Sequence, residues 1–273
     1  MTFTRLFGFA LLFSPLFLTA FENKPWFPPI AELELTLAYS YEHYPSVSHA
    51  FDPSHYSSKD HLIDLNLEVS FLPKWEAQIE LNLAKTRKLS FGTRRVGLEV
   101  RYLLLDDVAG DPVSLTTDLL LFYVPSRNMK DVSSPYHAQG NFELGMAIGK
   151  EIDQEYDWVY RFFGFFGLGQ AIRGYPWVRS ELSIQRNYNN RHHVRLFSEG
   201  YFGLGPHKKI DVNHFNGYAK IQHQSVDLGI NYTYLFDIWG SFTFQYAYRI
   251  YALSFPRKLS SFSIEYKLPF SVL

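Results

Sequence analysis

Leu33, Leu35, Leu37, Tyr39 and Tyr41 alternate with Glu32, Glu34, Thr36, Ala38, Ser40 and Glu42. The same period of two returns over Ile63 to Phe71 and over Trp75 to Leu83, with Asp64, Asn66, Glu68, Glu76, Gln78 and Glu80 on the polar positions. A helix would scatter these residues around its circumference, whereas a strand with two unlike faces collects them. Nine further segments read the same way: Val96 to Leu104, Val113 to Tyr123, Phe142 to Ile148, Trp158 to Leu168, Val178 to Arg186, Val194 to Leu204, Val226 to Phe236, Phe242 to Ala252 and Phe262 to Phe270. The pattern therefore predicts about twelve strands and no long helix.

The connections alternate in length. Residues 44–60, 124–138 and 205–222 are the longest and all belong to the odd-numbered set, while 72–74 and 237–240 are among the short even ones. An even number of amphipathic strands with short turns at one end and long loops at the other is the pattern of a transmembrane antiparallel up-and-down β-barrel. Closure explains why such a chain suits lipid: every backbone group is paired and no edge remains.

The last segment, FSIEYKLPF, resembles the C-terminal assembly signal of bacterial outer-membrane β-barrels, with Tyr266 and Phe270 as its aromatics. It departs from that signal in carrying Pro269 and in running on through Ser271, Val272 and Leu273. The resemblance, to porin-like barrels without a subfamily, implies insertion by the barrel-assembly machinery into the outer-membrane bilayer. Trp75, Trp158 and Trp239 at the short-turn end and Trp177 at the other then read as membrane-interface aromatics.

The start of the chain agrees with that destination. Arg5 followed by the apolar run to Leu18 and by Leu18-Thr19-Ala20 reads as a cleaved secretory signal peptide over residues 1–20. Residues 21–30 form a periplasmic lead-in and 31–273 the barrel. The 273-residue chain has no Cys and a formal net charge of −1. Disulfides and thiolate metal sites are thereby excluded, and bulk charge gives no case for nucleic acid. No cofactor is implied, and no subunit face is identifiable.

Function then depends on the polar face. Its inward charges are Glu34, Asp64, Glu68, Glu76 and Glu80 on the first three strands, with Arg95, Glu99, Arg101, Arg161, Arg179, Arg195 and Arg249 on later ones. One acidic wall facing an arginine-bearing wall suits a narrow channel for small polar solutes or ions, with Glu34, Glu68 and Glu80 setting a cation preference. The competing reading has these charges pairing across the lumen and filling it. A second class is a non-conducting surface barrel whose long, aromatic loops bind a partner. A third is an outer-membrane lipid hydrolase, for which His43, His61 and Ser260 would meet at the loop-end rim. Histidines crowd that end (His43, His49, His55, His61, His137, His207, His214 and His223), yet no spacing among them fixes a metal geometry.

Overall fold

The computed structural model describes residues 23–51, 56–154 and 157–271. The expected signal peptide, His55, Val272 and Leu273 lie outside the described residues. Twelve strands form the wall: β1 (Glu32–Tyr44), β2 (Ser58–Leu72), β3 (Trp75–Lys85), β4 (Gly92–Leu105), β5 (Ser114–Tyr123), β6 (Gly140–Gln154), β7 (Asp157–Ala171), β8 (Trp177–Tyr188), β9 (His192–Leu204), β10 (Gln222–Leu235), β11 (Ser241–Leu253) and β12 (Ser260–Ser271). Each pairs antiparallel with its sequence neighbours. β12 returns to β1 over twelve residue pairs, from Glu32 opposite Ser271 to His43 opposite Ser260. Closure removes both free edges, so the backbone is satisfied without water.

The alternation sorts the two faces as the sequence predicts. Leu37, Ile79, Leu98, Leu121, Leu144, Phe166, Leu182, Leu196, Ile230 and Phe244 stand exposed on the outside, around the full circumference. An apolar belt of this extent is untenable in water and matches a hydrocarbon layer. Thr36, Asp64, Glu68, Gln78, Glu99, Thr116, Glu143 and Glu181 are buried on the inside. Several strands run past their apolar core: β2 begins at Ser58 rather than Ile63, because pairing continues where the wall leaves the lipid.

Irregularities in register change which residues reach the lumen. Between β3 and β4, Asn82 pairs with Arg95 and Leu83 with Thr93, which leaves Arg94 opposite nothing. At such a bulge strict alternation fails. Arg94 is 5% exposed and lines the interior beside Arg95. A second irregularity, between Val226 and Asp227, brings Asp227 opposite Arg249.

Candidate functional site

The interior holds a chamber with the N-terminal lead-in towards one end and the long loops towards the other. Its volume is about 240 Å³, room for roughly eight waters or one small organic molecule. Charged groups from most of the wall face it: Glu42, Asp64, Arg94, Arg95, Glu143, Arg179, Glu181, Glu199, Asp227 and Arg249. Phe122, Tyr136, Trp177, Tyr201 and Phe255 supply the apolar share of its lining.

The floor is the N-terminal lead-in. Residues from Asn23 to Phe27 turn back into the barrel from the short-turn end. Asn23 Nδ2 donates to Glu181 (2.7 Å), at the chamber itself. Trp26 is 7% exposed, packs edge-on against Phe163 with ring centroids 6.1 Å apart, and donates from Nε1 to Asp107 Oδ1 (2.9 Å). Arg161 lies over the Trp26 ring and Arg101 over that of Phe27, and the Arg101 guanidinium also donates to the Lys24 carbonyl. Gly149 makes the seat: a Cβ there would come within 2.7 Å of Pro25 and 2.9 Å of the Trp26 ring. Asp107, in the β4–β5 turn, is drawn in two directions. Partial burial raises its pKa, but hydrogen bonds from Ser114, the Glu151 amide and Trp26 outweigh that and hold it below the ordinary value. The anchor of the floor is therefore a carboxylate.

The roof is built from four of the six loops at the other end. Tyr44, Val47, Ala50, Tyr56, Val132, Ile210, Val212, Phe215, Tyr218, Phe255 and Leu259 form one buried cluster. Tyr218 donates to the Val132 carbonyl (2.8 Å), Tyr44 bonds Ser133 (2.7 Å), and Tyr201 donates to the Pro135 carbonyl (2.9 Å). Two main-chain links join the first and ninth connections, Phe51 N to Ile210 O and Ile210 N to His49 O. The aromatic residues that made these loops look suited to partner binding are largely spent on each other.

Beneath the roof two imidazoles face each other, His137 Nε2 and His223 Nε2, 3.4 Å apart. Each Nδ1 donates to a main-chain carbonyl, that of Tyr175 (3.0 Å) and that of Ile221 (3.1 Å). These bonds place a proton on each Nδ1 and leave the two Nε2 atoms converging. Burial pushes His137 down to about 4, against a partial opposing effect from the Tyr175 carbonyl. Among the described residues no cluster of three or more His, Asp or Glu is arranged to hold a metal ion.

The charges singled out in the sequence are all found on the inner face, and most are paired. Arg95 bonds Glu80 and Arg101 bonds Glu76 (2.6 Å). Arg161 bonds Glu151 (2.5 Å), Arg179 bonds Glu143 (2.8 Å) and Arg195 bonds Glu181. Arg249 grips Asp227 with two parallel bonds of 2.7 and 2.8 Å. Glu34 meets Lys267 (2.7 Å) across the β1–β12 seam. The acidic wall of β1–β3 is thus countered by its neighbours β4 and β12. Replacing Glu34 and Glu80 would release Lys267 and Arg95 as well as remove negative charge. Glu68 has no hydrogen-bond partner at either oxygen, and one oxygen each of Asp64 and Glu99 is likewise unmatched.

The interface aromatics divide. Trp75 and Trp239 are exposed at the short-turn end, and Phe270 is exposed on β12. Tyr266, also on β12, donates to the Trp239 carbonyl (2.6 Å). Trp158 instead folds against Arg161 and His193. Trp177 is 1% exposed and faces inward: its Nε1 donates to Glu143 (2.9 Å), and its ring lies flat over Gly169, where a Cβ would stand 1.9 Å from it. It is part of the chamber, not of a lipid girdle. Trp26, Arg94, Tyr136 and Phe255 were not legible as site residues. At the rim, His43 does stand opposite Ser260. However, among the described residues no hydrogen bond joins Ser260 to His43 or His61; His43 Nδ1 donates to the Ser58 carbonyl and His61 Nδ1 bonds the Tyr39 hydroxyl.

This wall, closed over twelve antiparallel strands with an apolar exterior and a charged interior, has the fold of solved outer-membrane porins and channels. Solved barrels share it. The NanC porin superimposes with a TM-score of 0.56 at 12% identity, covering 88% of this chain and 100% of that one. An outer membrane channel from Pseudomonas putida F1 gives 0.62 at 10% identity, covering 89% and 97%. The KdgM porin in complex with disordered oligogalacturonate gives 0.55 at 8% identity, covering 86% and 99%. No protein-family model and no curated protein matches the sequence.

Proposed function

We propose that the protein is an outer-membrane channel for small polar solutes, held closed in this structure by the lead-in below and the loop roof above. The observation that carries this is the chamber. A barrel built only as a scaffold fills its bore with wall side chains; here charged groups line open volume between two segments that are not part of the wall. The similarity to porins and to an outer membrane channel agrees with this reading. Insertion by the barrel-assembly machinery, on the strength of the β12 signal, belongs to the same proposal.

Swelling of liposomes loaded with the refolded chain tests it. Monosaccharides and small ions are expected to enter, and trisaccharides to be excluded by the bore. No uptake of any solute, even from a chain lacking residues 23–28, would leave a closed scaffold.

Acid is expected to loosen the roof. With the roof shut, His137 is neutral down to about 4, whereas in a released loop it titrates at about 6.5. The open form therefore takes up the proton first. The His137 contribution to closure is unchanged above about pH 6.5, weakens as pH falls through the window to about 4, and is then constant. The drop from about 6.5 to about 4 corresponds to at most about 3 to 4 kcal/mol. Solute uptake should rise across that window and should lose this rise in His137→Phe. An equal rise in the variant would place the titration elsewhere.

A further inference from the structure

The charges lining the chamber do not balance. Six carboxylates (Glu42, Asp64, Glu143, Glu181, Glu199, Asp227) face four guanidinium groups (Arg94, Arg95, Arg179, Arg249). The paired groups cancel: Arg179 with Glu143, Arg249 with Asp227, Arg95 with Glu80 and Glu181 with Arg195. What remains is specific. Glu42 is 7% exposed, lines the chamber, and has neither hydrogen bond nor ion pair among the described residues. Glu199 also lines it without a partner. Asp64 has one oxygen held by Asn82 and the other unmatched. Against these three stands Arg94, whose Nη2 donates to the Ser133 carbonyl and whose guanidinium lies 5.7 Å from the Tyr136 ring centre. Arg94 sits in the field of Glu42, Asp60 and Asp64, so it adds little attraction for an anion.

Two unengaged carboxylates facing one chamber, Glu42 buried and Glu199 partly exposed, call for a counter-charge. The rest of the lining says what kind. Trp177, Tyr136, Tyr201, Phe122 and Phe255 line it with aromatic rings, whose faces attract cations and accommodate hydrocarbon. A bare metal ion would find carboxylates but waste these rings. We propose that the chamber is a binding site for a small organic ammonium compound, its charged nitrogen held by Glu42 or Glu199 and its carbon chain laid against the aromatic wall. This names the solute class of the lumen and rests on the lumen being the working site. The charge excess survives when the partners outside the chamber, Glu80 and Arg195, are included, since they add one charge of each sign.

Calorimetric titration of the refolded chain with 1,4-diaminobutane and with succinate tests it, because the two share a four-carbon length and differ in sign. The expected result is binding of the diamine, none of succinate, and at least a tenfold loss of diamine affinity in Glu42→Gln/Glu199→Gln. Gln preserves shape, and a heat-modifiable gel shift confirms that the variant is a closed barrel; if the double variant does not fold, Glu199→Gln alone serves. Because the chamber is shut, the titration is repeated on Trp26→Ala, and diamine binding seen only there still supports the site. Succinate binding equal to the diamine, an undiminished affinity in the Gln variant, or no binding by either chain overturns the proposal. Diamine binding in a barrel that passes no solute would uphold the site and refute the channel.

Discussion

Trp26→Ala should open the short-turn end of the lumen. The Trp26 side chain is almost wholly buried, packed on Phe163 and hydrogen-bonded to Asp107. Truncating a buried Trp costs about 3–5 kcal/mol, and in this chain the loss falls on docking of the lead-in rather than on the wall. At tenfold for each 1.4 kcal/mol, the undocked fraction rises by about 10² to a few times 10³. The absence of cysteine makes this directly measurable, since a single introduced thiol is unique. Ala147→Cys places one on the inner face of β6, two residues from the Gly149 seat and 2% exposed. A charged maleimide should label it slowly in the parent and about a hundredfold faster with Trp26→Ala. Equal rates would mean that the lead-in does not close the barrel.

Arg101→Met should be the most damaging single change to the wall. Arg101 is buried, bonds Glu76 at 2.6 Å, and holds the lead-in through Lys24 and Phe27. Glu76 is fully buried as well, and Glu99 and Glu68 lie in the same field. Removing one partner of a buried pair strands the other charge, at a cost of about 3–5 kcal/mol. Met roughly keeps the volume, so the loss reports charge rather than a cavity. Urea titration followed by gel mobility should show the midpoint falling in Arg101→Met and largely recovering in Arg101→Met/Glu76→Met. No recovery in the double variant would mean that Arg101 acts through the lead-in or through packing.

Much of the wall was legible because a period of two is a local property. Each strand carries its own record of which face meets lipid, and the topology follows from the connection lengths. That β12 closes antiparallel on β1 needed only the even count; their residue register did not follow from it. Arg94 escaped because its inward turn comes from a bulge, a feature of pairing between strands rather than of one strand. Trp177 is different: it shares parity with Arg179 and Glu181, so alternation itself puts it inside, and the expectation of an aromatic girdle misdirected it.

The floor and roof were hidden for another reason. Asn23-Lys24-Pro25-Trp26-Phe27-Pro28 has no periodicity, and its partners Arg101, Asp107, Phe163 and Glu181 come from distant strands and turns. The only local hint was two adjacent aromatics between prolines in a segment expected to face water, where exposing them is costly. Likewise Tyr44, Tyr56, Phe215 and Tyr218 read as displayed loop aromatics until the loops were seen to bury them together. That burial removes most of the surface on which a partner-binding role would rest.

Planar-bilayer recording of the refolded chain, beside a chain lacking residues 23–28 and at both neutral pH and pH 4, tests the central claim most directly. The parent at neutral pH should be mostly shut, with brief discrete openings. Deleting the lead-in and acidifying should each lengthen the openings, and together they should give stable steps of small conductance. A deletion chain that is folded by gel mobility, inserted in the bilayer and still silent at pH 4 would contradict the account, because nothing but the wall would then remain to block the lumen.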